Sequence, residues 1–412
     1  MSAFRLAISI WPLFFGLALI GISIGMQGSL LGIRAELEGF NDFLIGFLMS
    51  AYFGGFLLGS LLAPKHIKRV GHIRIFGALS AIASITILAH AIFVNPWVWI
   101  LMRFLSGFAF STIYVVAESW LNSATNQSYR GQILSIYATT LLSGICIGQF
   151  LLTFGDPYKL DLFISISLII SIAAIPILLS GVKSPFLEES SRITIWILWK
   201  KTKVGVIAIA LSQWVSGIIF GMGAVYAIKN GYDQNQVAYF MGAIMMGGMI
   251  IQWPLGKLSD KFDRRWIIGL SSILASIFAF LIFSMTTVNH VYYLTTFLFG
   301  GFALSLYSII VAFTNDHLKP DEITSASGTI ILIGGIASMI GPISAVFWFN
   351  IFGPESLFLL FSCSLIGIGL ISIVRVLTIP ALPKRYKVES IIQVAPNPVG
   401  TILNQDNESS KN

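Results

Sequence analysis

Charge is scarce in this 412-residue chain: only 10% of its residues are Asp, Glu, Lys or Arg, where a soluble domain carries about 25%. With 56% hydrophobic residues and a mean hydropathy of +0.85, it has too little polar surface to face water over most of its length. Lipid is therefore the expected solvent. Cysteine is nearly absent. Cys146 and Cys363 both fall in apolar runs, which argues against a disulfide framework or a cysteine metal site and reads as two small buried hydrophobes. All 18 acidic residues fall in predicted loops or near the ends of apolar runs, so no carboxylate is expected at the bilayer midplane. H-E-x-x-H, nucleophile-elbow and P-loop patterns are missing too, so the chain reads as no enzyme, and neither a cofactor nor a metal is expected.

What is present is a repeat. Gly107-Phe-Ala-Phe-Ser111 returns as Gly301-Phe-Ala-Leu-Ser305, and Gly25-Met26 as Gly221-Met222. Gly131 and Gly144 return as Gly328 and Gly341, so the four offsets are 194, 196, 197 and 197. Duplicated membrane bundles are a common construction of alternating-access carriers.

A spanning helix needs about 20 mostly apolar residues. Twelve such spans are expected, near 8–33, 43–63, 73–94, 97–119, 131–154 and 161–182, then 204–228, 235–256, 266–286, 291–314, 323–349 and 357–378. The fold class is thus an all-α membrane protein of two six-helix bundles, 1–182 and 204–380, joined by a cytoplasmic linker, 183–203, and followed by a polar tail, 381–412, expected to be disordered. The first run is too long for a cleaved signal sequence and lacks A-x-A, so it reads as an anchor. With the N-terminus inside, 21 of the 25 Lys and Arg residues fall on the cytoplasmic side, which places both termini in the cytoplasm. The net charge of +7 is then topological, with some contact to lipid headgroups, and no nucleic acid is expected. Trp11, Trp97, Trp99, Trp120, Trp266 and Trp348 sit at predicted span ends, as an interfacial aromatic belt would. Within the linker, Ile193–Trp199 reads as a short interfacial helix.

Three groups of residues are candidates for function. The loop after span 8 reads Gly256-Lys-Leu-Ser-Asp260-Lys-Phe-Asp263-Arg264-Arg265. Gly256 permits close helix approach, while Asp260 is suited to cap a helix or pair with arginine, the elements of a conformational latch. The matching first-half loop keeps Gly59, Lys68 and Arg69 but has Ala63 where Asp260 stands. Span 4 carries Arg103, whose repeat counterpart is Phe297. A charge at that depth demands a partner or water. It is either a cavity-facing cation for an anionic or zwitterionic substrate or an arginine bonded to backbone carbonyls. Glu118 at the inner end of span 4 and Arg130 at the start of span 5 are read as a structural or gating pair. Gln27, Gln149, Gln213 and Gln252 are polar at depth, with Trp214 beside them, and each serves either cargo or an interhelical bond. His90 reads as a satisfied polar tip near the outer interface.

Gly256–Arg265 resembles the G-x-x-x-D-[RK]-x-x-[RK]-[RK] loop of the major facilitator superfamily, and Arg103-Phe-Leu-Ser-Gly107 resembles its R-x-x-x-G motif. The strings Ile45–Gly59, Ala117–Asn122 and Arg130-Gly131 are similar to the YcaD-like group of bacterial inner-membrane carriers. The resemblance implies a monomeric secondary transporter in the inner membrane, moving a small organic solute by rocking of its bundles. Spans 1, 4, 7 and 10 would line the cavity, favouring Gln27, Arg103, Gln213 and Trp214, and a proton would be the coupling ion. A multidrug-type exporter and a non-transporting sensor or assembly factor on the same fold are the alternatives.

Overall fold

The computed structural model describes residues 11–124, 127–179 and 194–378, without the side chains of 122–124, 127–131, 320, 321 and 324. Twelve described helices are long and apolar enough to cross a membrane. They are α1 (Trp11–Leu37), α2 (Asp42–Val70), α3 (His72–Ile92), α4 (Pro96–Ala124), α5 (Gln127–Leu151), α6 (Asp161–Leu179), α7 (Lys203–Lys229), α8 (Gln234–Lys261), α9 (Arg264–Ser284), α10 (His290–Asn315), α11 (Pro320–Phe352) and α12 (Leu357–Thr378). Among the described residues there is no strand. A chain whose backbone polar groups meet lipid must satisfy them within each segment, which the helix does.

Local chemistry sets the helix starts. Asn41, Asp233, Asp263 and Asn289 cap α2, α8, α9 and α10 by accepting from backbone N–H groups that have no helical partner. Asp233 and Gln236 complete a reciprocal capping box. Gly71, at φ +92°, is the single residue between α2 and α3, a backbone conformation that side chains with a Cβ resist.

Two expected loops are helical. α2 runs on through Lys65, Lys68 and Arg69, and α8 through Asp260. Hydropathy marks where lipid ends, whereas helical hydrogen bonding continues into water until a cap or glycine stops it. The belt needs correction as well. Trp11, Trp97 and Trp266 are exposed, but Trp99 and Trp120 are core residues, Trp99 donating to the Phe93 carbonyl at 2.7 Å. Cys146 is buried as expected, whereas Cys363 is exposed on α12. The linker helix is observed at Ile195–Lys201, and the rest of the linker before 194 and the tail beyond 378 lie outside the described residues.

The chain clusters into two compact units, before and after the 190/191 boundary. Within the first, α2 packs on α4, α1 on α5 and α6, and α3 on α4 and α6. Within the second, α8 packs on α10, α7 on α11 and α12, and α9 on α10 and α12. Each pairing in the second is one from the first advanced by six helices. The repeat read from glycine spacing is therefore a repeat of packing.

Glycine makes those pairings close. A Cβ on Gly25 would collide with the Ile145 carbonyl, and one on Gly148 with that of Ile22, so α1 and α5 touch backbone to backbone. Gly217 and Gly341 do the same between α7 and α11. A Cβ on Gly367 of α12, by contrast, would meet nothing within 4 Å. Gly25→Ala is expected to lower thermal stability, since overpacking costs about 1–3 kcal/mol. Gly367→Ala should leave it unchanged or raise it by up to about 1 kcal/mol. Parallel unfolding curves in detergent check both.

Candidate functional site

Arg103 sits on α4 one turn before Gly107. A Cβ on Gly107 would strike the Tyr52 carbonyl of α2, and one on Gly55 would strike that of Phe104. This crossing brings Tyr52 under the guanidinium, whose central carbon lies 4.5 Å from the ring centroid. Arg103 is 3% exposed. Its one hydrogen-bond contact is weak, Nη2 to the Met49 sulfur at 3.8 Å, and its Nε has no partner. Among the described residues no carboxylate forms an ion pair with it. The expected alternative, an arginine bonded to backbone carbonyls, is not what the geometry shows.

The other deep polar residues divide. Gln27 on α1 is buried with neither its amide oxygen nor its amide nitrogen partnered. Gln213 on α7 is buried with its oxygen unpartnered, and Gly334 of α11 packs against its side chain. Gln149 instead ties α5 to α1, accepting from Ser29 at 2.7 Å and donating to the Gly25 carbonyl at 2.8 Å. Trp214 donates to Ser344 of α11 at 2.8 Å, also an interhelical bond. Gln252 is buried and has a partner of its own. His90 lies deeper than expected. It is fully buried against the Trp99 ring, its Nδ1 at the Thr86 carbonyl and its Nε2 without a partner.

At the start of α9 in the second unit, Arg264 is the hub. Its Nε donates to Asp316, just past the end of α10, at 2.8 Å, with both side chains at most 5% exposed, and its Nη2 pairs with Asp260 at 3.2 Å. Arg265 holds Asp263 at 2.7 Å and donates to the Arg375 carbonyl of α12 at 3.1 Å. Gly256 contributes its carbonyl to Ser259 at 2.8 Å. Asp316 is thus the buried partner, and half-exposed Asp260, the acid of the expected latch, the peripheral one. The clue was its place just beyond a span end, facing a pair of arginines that open the previous helix.

The first unit differs at the same place. Gly59 packs against Phe108 and Ser111 of α4, as a crossing glycine, while Lys68 and Arg69 are exposed. Ala63 is buried where Asp260 stands in the other unit. His72, the first residue of α3, is buried with its Nε2 2.9 Å from the Ser119 hydroxyl. Glu118 is 2% exposed and hydrogen-bonded by Tyr137 of α5, with its Oε2 unpartnered. Hydropathy places it near the interface, but α4 continues to Ala124 and carries it into the protein. The side chain of Arg130, its expected partner, lies outside the described residues.

A family model described as Major Facilitator Superfamily matches residues 13–342 and, in an overlapping match, 204–395. The chain is 25% identical over 330 residues to an uncharacterized MFS-type transporter, YcaD, of Escherichia fergusonii, covering 79% of this chain and 85% of the relative. It is 23% identical over 368 residues to an uncharacterized MFS-type transporter, YE1530, of Yersinia enterocolitica, covering 89% and 94%. Among solved structures, the nucleoside transporter NupG matches with a TM-score of 0.70 at 14% identity, covering 91% of this chain and 99% of that one. A bacterial homolog of the human lysosomal transporter Spinster, inward-facing and unoccupied, matches with a TM-score of 0.69 at 12% identity, covering 92% and 96%. At such identities these two structures speak for the fold alone. The superfamily and the YcaD-like group indicated by the motifs are both recovered.

Two outcomes follow from the geometry around Arg264. Asp316→Ala strands a buried guanidinium and is expected to cost about 3–5 kcal/mol, whereas Asp260→Ala should cost under about 1 kcal/mol because that pair is solvent-screened. Denaturant unfolding of the two variants measures the difference. The linker helix gives a pH dependence. Lys201 bonds Glu322 at 2.7 Å, and this bond, with the Lys319 N–H second, holds the Glu322 carboxyl below its ordinary value near 4.5. The stabilisation is complete above that value and is lost as pH falls through the lowered one. Glu322→Gln should therefore flatten the acid limb of the melting-temperature profile below about pH 4.5.

Proposed function

The chain belongs to the Major Facilitator Superfamily, a family of membrane transporters, and from that premise we propose that it is a secondary active transporter of a small anionic or zwitterionic organic solute. It works by alternating access in the bacterial inner membrane, with both termini cytoplasmic, as the Lys and Arg distribution favours.

The observation that carries the charge of the cargo is Arg103. A cation at membrane depth costs about 2.5–3.5 kcal/mol or more, and a desolvated cation–π contact returns roughly 2 kcal/mol. Tyr52 therefore positions the guanidinium without neutralising it. A cargo carboxylate is the missing counter-ion, and the unpartnered Nε is a donor ready for a charge-assisted bond. Gln27, with both amide atoms unpartnered, supplies a neutral donor and acceptor in the same unit. Gln213, in the second unit, likewise keeps an unpartnered amide oxygen. Trp214 has its indole N–H engaged by Ser344 within the second unit.

In this reading Arg264, with Asp316, Asp260 and Arg265, latches the inner ends of α8, α9 and α10 in one state of the cycle. The transport reading is tested with purified protein in liposomes and a panel of anionic, zwitterionic and cationic solutes. Uptake of an anionic or zwitterionic member is expected. Arg103→Gln should weaken its apparent affinity by about 10- to 150-fold, the range of a hydrogen bond to a charged group. Uptake of that member at normal affinity by Arg103→Gln overturns the charge assignment. Failure across the whole panel, with a partner protein co-purifying, supports the sensor or assembly alternative.

A further inference from the structure

In each unit the start of the third helix meets the inner end of the fourth, at Glu118-Ser119 of α4 in the first and at Asp316, just past α10, in the second. The third helices open with His72 and Arg264. The structural partners follow the same correspondence: Arg264 pairs with Asp316 at 2.8 Å, and His72 meets Ser119 at 2.9 Å. Each unit thus holds one acid at this place. In the second unit an arginine balances it. In the first the acid is Glu118, next to Ser119 on α4, and no described cation forms an ion pair with it.

Among the described residues the groups around Glu118 are neutral or exposed. Tyr114 lies one turn earlier on α4, and Tyr137 of α5 bonds one carboxyl oxygen. On α3, His72 is engaged with Ser119 and lies against the Trp120 ring, and Arg74 is exposed. On α2, Lys65, His66, Lys68 and Arg69 are all exposed. A buried carboxylate without a cation costs several kcal/mol, and the group avoids that cost by taking up a proton. The second unit supplies an internal comparison. Asn315, next to Asp316, is also buried with its Oδ1 unpartnered. An amide is the permanently neutral analogue of a carboxylic acid.

We propose that Glu118 is a proton-binding site at the inner end of the first unit, where a proton replaces the arginine that the second unit uses. The carboxyl O–H is intact while the site is buried. When water reaches the inner end of α4, that bond breaks, the electron pair stays on the carboxylate and the proton passes to cytoplasmic water. Closing reverses the step. The site's use, coupling or gating of transport by protons, rests on the transporter reading above; its existence does not.

The test uses the full chain in nanodiscs and needs no cargo. Infrared difference spectra between low and high pH should show a protonated-carboxyl band that disappears on raising pH and is missing from Glu118→Gln. Because glutamine mimics the protonated acid, that variant is expected to fold and melt like the parent. Identical difference spectra for parent and variant overturn the proposal. A second measurement reads the opening. With Cys146 and Cys363 replaced by serine, Ala117→Cys, at a buried position beside Glu118, should react with a maleimide at least tenfold faster, after correction for thiolate fraction, when Glu118 is ionised. Adding Glu118→Gln should hold the reaction slow at both pH values. Equal corrected rates at both pH values without that substitution overturn the coupling of ionisation to opening. A solute panel without uptake would leave both signals intact, so loss of the cargo reading and loss of the proton site are distinguishable.

Discussion

Helices in lipid gain no hydrophobic drive from leaving it, so they associate through close packing. In this chain the packing is set where backbone meets backbone at glycine. The contacts of Gly25 and Gly148 fix α1 on α5, those of Gly55 and Gly107 fix α2 on α4, and the second unit repeats both themes on α7, α11, α8 and α10. The chemistry depends on these crossings. Arg103 lies over Tyr52 because Gly107 lets α2 approach within one helical turn of it.

On that shared scaffold the two units handle charge in opposite ways. The second pairs its buried charges: Arg264 with Asp316, Arg265 with Asp263, and Lys201 with Glu322 nearer the surface. The first leaves Arg103 over an aromatic ring and Glu118 with one orphaned oxygen. Unpaired buried charge lowers stability. Among the described residues the buried charges without an ion-pair partner lie in the first unit, and the proposed roles in cargo and proton binding are built on them.

Much of this was legible in the amino-acid sequence. Twelve spans followed from hydropathy, and the helix pairing was implicit in glycine offsets, because close crossings leave small residues at fixed spacing. Arg103 stood out because the residue 194 positions later, its counterpart in the repeat, is the apolar Phe297. What stayed hidden depended on which way a side chain turns. Glu118 and Asp316 both sit near span ends, where hydropathy cannot separate an exposed cap from a buried acid, and only the continuation of α4 and the reach of Arg264 decide. Trp99 and Trp120 were misplaced for the same reason, since their depth matches the interface but their faces point inward. Gln27 and Gln149 are alike in composition and differ only in whether Ser29 and the Gly25 carbonyl stand opposite.

The central claim is that Arg103 lacks a protein counter-ion so that cargo can act as one. Met49→Glu tests it most directly, because the Met49 sulfur already lies 3.8 Å from the guanidinium and a glutamate there would supply the missing carboxylate. The account predicts a variant with a melting temperature at or above that of the parent that no longer binds or transports the anionic cargo. A Met49→Glu protein that folds and carries that cargo with unchanged affinity would contradict it.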